Sequence, residues 1–205
     1  MGIKAVVFDY GQVISLPQDP KVMDELAKMA GADREKFEPM LWRLRCEYDR
    51  GTISAKQYYK QIFSRLELQA PDDNVMDEMI RMDLSSWRNI DPGTVALMEE
   101  VKKAGYILGI LSNMPHDFLA WARKNIPIFS LCDESLFSCE VNLIKPEEAI
   151  FRKLLSMMGL EGRELVFFDD NAENIKSAKA LGLNAFLWKS SENARRELEL
   201  IGLRL

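Results

Sequence analysis

Cysteine is scarce in this chain: Cys46, Cys132 and Cys139 are its only three, and no two of them form a Cys-x-x-Cys pair. That excludes a disulfide framework and a zinc-ribbon arrangement, and it fits reduced thiols in a cytoplasmic protein. No apolar run approaches the ~20 residues needed to span a bilayer. No positive charge dominates: 27 Lys and Arg stand against 32 Asp and Glu, a net −5. Nothing electrostatic therefore points to nucleic acid or an anionic membrane as partner, although a local site can still oppose the global sign and take a small anion. Met1-Gly2-Ile3-Lys4 leads straight into a strand-like segment, unlike a secretory leader, and Val6 stands where a myristoylation signal needs Ser or Thr. Internal repeats and low-complexity tracts are absent. What remains is ordinary globular material, 47% hydrophobic and 29% charged in 205 residues. That is enough for one domain, or a core with a smaller insert, around a sizeable apolar interior.

Residues 3–8 (IKAVVF) form a short run rich in β-branched residues that stops at Asp9. Such runs suit strands covered on both faces in a parallel sheet. Residues 106–111 (YILGIL), 165–168 (LVFF) and 185–188 (AFLW) repeat the pattern. Helical stretches are predicted between them at 92–104, 146–158 and 171–181, the first behind Asp91 as N-cap, with Gly105, Gly159 and Gly182 as stop signals. The alternation predicts a Rossmann-like, three-layer α/β/α sandwich with a mostly parallel sheet. Residues 16–88 differ. Apolar residues recur there at helical spacing, as in Tyr58, Ile62 and Leu66, with breaks near Gly31, Gly51 and Pro71. This predicts a four-helix insert, so that 1–15 and 89–205 form the core domain and 16–88 a cap. The Met76, Met79, Met82 stripe reads as core packing.

In open parallel sheets, ligands collect beyond the carboxyl ends of the strands. Asp9, the Ser112-Asn113 pair and the Asp169-Asp170 pair follow predicted strands, and Lys145 precedes a predicted helix. Singly each has a plain explanation as a cap, a turn or a solvated helix start. Adjacent carboxylates at a strand end are harder to dismiss, because they repel unless a cation or a shared proton intervenes. Together the groups make a phosphoryl-transfer set. In it a carboxylate attacks phosphorus, Mg²⁺ and Lys145 offset negative charge, and Ser112 with nearby backbone N–H groups holds the non-bridging oxygens.

FDYGQV, ILSNMP, KPEEAIF and FFDDNAEN, in that order, resemble the four motifs of the haloacid dehalogenase superfamily. The resemblance spans essentially the whole chain, the insert matching that superfamily's small helical cap. Within it the first motif, Asp-x-Gly, and the phrase YDRGTIS are similar to phosphatases of the glucose-1-phosphatase type. The resemblance implies a Mg²⁺-dependent phosphatase of small phosphorylated metabolites, possessing an aspartyl-phosphate intermediate on Asp9. It further implies that Ser112, Asn113 and Lys145 bind phosphate, Lys145 also serving the nucleophile, and that Asn174 orients its loop. Asp9, Asp170 and the Gly11 carbonyl are implied as metal ligands, with Asp169 a ligand or a support behind them.

One departure matters: most phosphatases of that superfamily carry a second Asp, a general acid and base, where this chain has Gly11. Such help is worth about 10²–10⁴ in rate, so leaving groups that need little protonation are favoured. His116 or a water are the substitutes to weigh, with His116 read first as an exposed loop residue or helix start. The cap is expected to choose the substrate: Arg43, Arg45, Tyr48 and Asp49 lie around one helix end near Gly51 and Trp42 and Trp87 are candidates for its inner face, all equally readable as an ordinary solvated helix face. Three other readings stand beside the phosphatase: a metal-free haloacid dehalogenase, a non-catalytic binder of a phosphorylated ligand, and a phosphomutase. The carboxylate pair speaks against the first.

Overall fold

In the computed structural model, which describes residues 2–205, five strands form one sheet in the order β3-β2-β1-β4-β5, every neighbouring pair parallel. They are β1 (Ala5–Phe8), β2 (Ile107–Ser112), β3 (Glu134–Phe137), β4 (Leu165–Asp169) and β5 (Asn184–Leu187). All four residues of β1 are fully buried, which its apolar, β-branched sequence permits. Alternate side chains serve opposite layers. Val6 and Phe8 pack with one apolar cluster, while Ala5 and Val7 pack with another on the far face.

The first of those layers draws on α5 (Pro92–Lys103), α6 (His116–Asn125), α7 (Ile128–Leu131) and α11 (Ser191–Leu200); the second uses α9 (Glu148–Met158) and α10 (Ala172–Ala180). A one-turn helix, α8 (Ser138–Val141), follows β3. Asp91 caps α5 as predicted, its side chain accepting from the Gly93 N–H at 2.9 Å.

Between β1 and α5 lie four helices: α1 (Pro20–Met29), α2 (Arg34–Asp49), α3 (Ala55–Arg65) and α4 (Asp73–Ser86). They bury an apolar cluster of their own around Leu26, Phe37, Leu41, Tyr58, Tyr59 and Ile62. Met76 and Met79 belong to that cluster and Met82 packs at its edge. Ser54 opens α3 with a reciprocal capping box to Gln57.

Several details differ from the sequence expectation. The edge strand β3 and helices α6 and α11 were not predicted. The helix expected at 146–158 begins at Glu148 rather than Pro146, and Lys145-Pro146-Glu147 forms the turn before it. β1 begins at Ala5 rather than Ile3.

Candidate active site

Asp9 directly follows the central strand, and Asp169 ends its neighbour, so the Phe8↔Phe168 register sets their backbones side by side. The Asp9 N–H donates to the Phe168 carbonyl at 2.9 Å, continuing the ladder by one residue. Ser112 ends β2 on the other side of β1. The turn before α9 brings Lys145 across the gap between them. Its ammonium donates to Asp9 Oδ1 at 2.7 Å, to Asp169 Oδ2 at 2.6 Å and to the Leu111 carbonyl at 3.0 Å. All three N–H donors of Lys145 are thus engaged, and the side chain is almost wholly buried.

Asp169 is fully buried and equally committed. Beyond Lys145 it accepts from the Asn171 N–H at 2.8 Å and from Asn174 Nδ2 at 3.0 Å. Asp9 and Asp170 are less saturated. Asp9 Oδ1 also accepts from the Tyr10 N–H at 2.7 Å, and Asp170 Oδ2 from Gln12 Nε2 at 2.7 Å. Carboxylate oxygens of Asp9, Asp169 and Asp170 lie within 4.8 Å of one another. Three carboxylates around one ammonium leave an excess of two negative charges if all are ionised. Burial accordingly pushes the Asp9 carboxyl up, to about 7; Lys145 opposes the rise, and Asp169 and Asp170 add to it. Burial and Asp169 raise Asp170 as well. Such crowding of hard oxygen donors fits a Mg²⁺-type cation. Asp9, Asp170 and the Gly11 carbonyl, which accepts no hydrogen bond among the described residues, are the donors still available.

The Asn113 side chain is committed to the Lys145 backbone. Its Oδ1 accepts from the Lys145 N–H at 2.8 Å and its Nδ2 donates to the Lys145 carbonyl at 2.9 Å. The side chain therefore fixes the lysine segment. Ser112 lines the cavity with a buried hydroxyl.

Above these groups lies a cavity of about 220 Å³. Asp9, Gly11, Ser112, Lys145 and Asp170 are among the residues of its floor; Trp42, Arg45, Asp49 and Trp87, from the helical insert and its return, also line it. Arg45 is buried between two carboxylates, Asp49 at 2.9 Å and Asp83 at 3.0 Å. Trp42 and Trp87 meet edge to face, and the Trp87 indole N–H is buried without an acceptor among the described residues. A Cβ on Gly11 would sit 3.6 Å from Trp87 Cζ3, so the tryptophan ring overlooks the position of the missing acid. Arg43 is exposed on α2 and is not part of the cavity wall. His116 is the first residue of α6, exposed, and outside the cavity; its Nε2 instead borders Gly51.

The insert is clamped to the core at the end of α2. Ser138 Oγ donates to the Asp49 carbonyl, Tyr48 OH donates to Asp117 at 3.2 Å, and Arg50 makes a two-pronged pair with Glu147 at 2.7 and 3.0 Å. Gly51 follows at φ +80°, where an added Cβ would lie 2.8 Å from the Cys139 carbonyl. Only glycine meets both demands without strain.

A parallel sheet with acid-tipped strands and a helical roof defines a hydrolase class, and the comparisons agree. Residues 3–182 match the haloacid dehalogenase-like hydrolases, and the chain belongs to that family. It is 26% identical to a D-ribitol-5-phosphate phosphatase from Bacteroides thetaiotaomicron (97% of this chain, 98% of the relative). It is 24% identical to Phosphatase MT3486 from Mycobacterium tuberculosis (98% and 96%). It is also 27% identical to (S)-2-haloacid dehalogenase 4A from Burkholderia cepacia (89% and 81%). Among solved structures, a HAD family enzyme from Bacteroides thetaiotaomicron in complex with magnesium and inorganic phosphate superposes with TM-score 0.71 at 21% identity, covering 92% of this chain and 96% of that one. No helix among the described residues is long and apolar enough to cross a membrane.

Proposed function

We propose that this hydrolase is a Mg²⁺-dependent phosphatase acting on a small phosphomonoester, with a sugar or polyol phosphate as the substrate class, through an aspartyl-phosphate on Asp9. The observation that carries the reading is the buried carboxylate cluster with a single lysine, a site whose own charges do not balance. A bound Mg²⁺ would be held by Asp9, Asp170 and the Gly11 carbonyl, and it would supply charge neutralisation between nucleophile and substrate phosphate. Asp169 then acts from behind, anchoring Lys145 while Asn174 and the Asn171 N–H hold Asp169 itself.

Lys145 keeps Asp9 Oδ1 oriented and adds one positive charge beside the incoming phosphate. Asn113 fixes the lysine backbone. The Ser112 hydroxyl and the N–H groups of its loop are the donors for the non-bridging oxygens. Residues 16–88 serve as a cap that closes over the substrate; the relative active on ribitol 5-phosphate supports a polyol leaving group against Trp42 and Trp87. Three unpaired cysteines suit a cytoplasmic setting.

A dehalogenase reading has a relative in its favour. Against it, an organic carboxylate substrate would face Asp9, Asp169 and Asp170 with Lys145 alone among them to offset the charge. The Tyr10 hydroxyl is also turned away, donating to the Trp87 carbonyl at 2.6 Å.

The test is phosphate release from an aryl phosphate and a panel of sugar and polyol phosphates, with Mg²⁺ or EDTA, for the native chain and Asp9→Asn. Release should require Mg²⁺ and vanish in the variant. Release that persists in Asp9→Asn removes the covalent mechanism, and halide release from 2-haloacids in EDTA establishes the dehalogenase instead.

A further inference from the structure

We infer that Asp49, carried by the helical insert, is the general acid and base that replaces the side chain missing at Gly11. The inference rests on the phosphatase reading above. It starts from the titratable side chains that line the cavity: Asp9, Tyr10, Arg45, Asp49, Lys145 and Asp170. Asp9 is the nucleophile and Asp170 faces the cation site. Lys145 has all three N–H groups engaged, Tyr10 OH is bound to the Trp87 carbonyl, and arginine does not titrate in the working range. Asp49 is left.

Its setting suits the task. Asp49 Oδ1 accepts from Arg45 Nε at 2.9 Å, while Oδ2 takes no hydrogen bond among the described residues. One oxygen is therefore held and the other is available to a ligand. The backbone is held too. The Ser138 hydroxyl, fully buried, donates to the Asp49 carbonyl and accepts from the Met114 N–H at 2.9 Å. A single side-chain oxygen thus ties Asp49 to the loop that carries Ser112 and Asn113. The cap residue is fixed relative to the phosphate-holding loop rather than hung over it on a flexible arm.

The charged groups around it are Arg45 on its own helix, Asp83 from α4 and Lys145 from the core. Burial pushes the Asp49 carboxyl up, to about 6; Arg45 and Lys145 oppose that rise and Asp83 assists it. A carboxyl poised near neutrality can both give and take a proton.

In the first step an Asp9 oxygen bonds to phosphorus as the bond from phosphorus to the leaving oxygen breaks, and the Asp49 proton passes to that oxygen. In the second, a water oxygen attacks the phosphorus of the aspartyl-phosphate, its proton passes to the Asp49 carboxylate, and the Asp9 carboxylate and inorganic phosphate are released. Asp49 ends protonated, ready for another cycle.

The test is a leaving-group series measured as kcat/KM, from nitrophenyl through phenyl to alkyl phosphates, on the native chain, Asp49→Asn and Asp83→Asn with Mg²⁺ present. Asn keeps an oxygen for Arg45 but has no proton to give. Asp49→Asn should lose about 10²–10⁴-fold on alkyl phosphates and less than about 10-fold on nitrophenyl phosphate. Its kcat/KM should also lack the native decline as pH rises through the Asp49 titration. Asp83→Asn, which removes the charge of the other Arg45 partner outside the cavity, should leave the leaving-group dependence as in the native chain. A loss in Asp49→Asn that is equal across the series, or the same steepening in Asp83→Asn, overturns the assignment and makes the effect structural. Asp9→Asn separates the two claims. If that variant is inactive while the Asp49→Asn series is flat, Asp49 alone is wrong; if it still releases phosphate, the covalent reading fails first.

Discussion

Lys145→Met tests the electrostatics on which the site stands. The native ammonium lies 2.7 Å from Asp9 and 2.6 Å from Asp169, and its side chain is 1% exposed. Methionine fills similar volume without charge, so the change isolates the ion pairs. Removing one partner from a buried charge cluster typically costs about 3–5 kcal/mol, because the remaining charges stay desolvated. For a chain of this length that corresponds to roughly 6–20 °C in melting temperature. The sign with pH follows from the carboxylates. Asp9 already sits above the ordinary carboxylate value of 3.8, at about 7, so the folded protein without metal holds protons that the unfolded chain releases. That contribution is fully present at low pH and is lost as pH rises from about 4 through about 7. Lys145 is the principal group opposing the rise, so its removal extends the loss to higher pH. Thermal melts in EDTA should therefore show the native and mutant curves closest near pH 5 and farthest apart near pH 8. Saturating Mg²⁺ should recover part of the gap at pH 8, by replacing one cation with another. A mutant within about 1 kcal/mol of native at pH 8, or a gap that does not depend on pH, would refute the description of this cluster as charge-unbalanced.

Two further substitutions test the clamp between insert and core by thermal or denaturant unfolding. Gly51→Ala should cost at least about 1–2 kcal/mol from the positive φ alone, with more from the Cys139 carbonyl; adding His116→Ala should relieve little, since the backbone contact remains. Arg50→Ala should cost under about 1 kcal/mol despite its two-pronged bond, because the Glu147 side chain is 41% exposed and the pair is screened; a loss above about 2 kcal/mol would show that the pair couples the two units cooperatively.

The parts of the fold that the sequence announced share a physical cause. β1, β2 and β4 are buried on both faces, so selection for burial leaves uninterrupted apolar runs, and those runs were readable. β3 is an edge strand of four residues, ESLF, only half of them buried, and its sequence carries neither alternation nor a run. Helix α6 follows Pro115 with no side-chain cap and so announces itself weakly, whereas Ser190 caps α11 through the Asn193 N–H and was as legible a start as Asp91. In the site, the residues at strand ends were legible because strand ends are where a parallel sheet gathers ligands. Register then supplied what sequence spacing could not: Asp9 and Asp169 are far apart in the chain yet share one ammonium. The structure also supplied partners that residue order does not give. Asn113 holds the Lys145 backbone, and Asp169, saturated by three partners, differs from Asp170 beside it.

Asp49 was the least legible residue, named only among several charged side chains on one helix, and the reason is general. An acid on a helix is ordinarily solvated, and nothing local distinguishes one that is not. Its environment is made by Arg45 one turn earlier, by Asp83 on a different helix, and by a serine 89 residues away that holds its carbonyl. Asp9, by contrast, is defined by the strand that precedes it. A core that fixes nucleophile, lysine and cation donors through sheet register can lose a side chain at Gly11 without disturbing the register. The function of that side chain can then pass to whatever the roof places over the same cavity. In the proposed mechanism Trp87, 3.6 Å from where a Gly11 Cβ would lie, takes up the space, and Asp49 brings the proton. If that division holds, substitutions in the insert should change which leaving groups are accepted, while substitutions at the strand ends should abolish phosphoryl transfer to Asp9 whatever the leaving group.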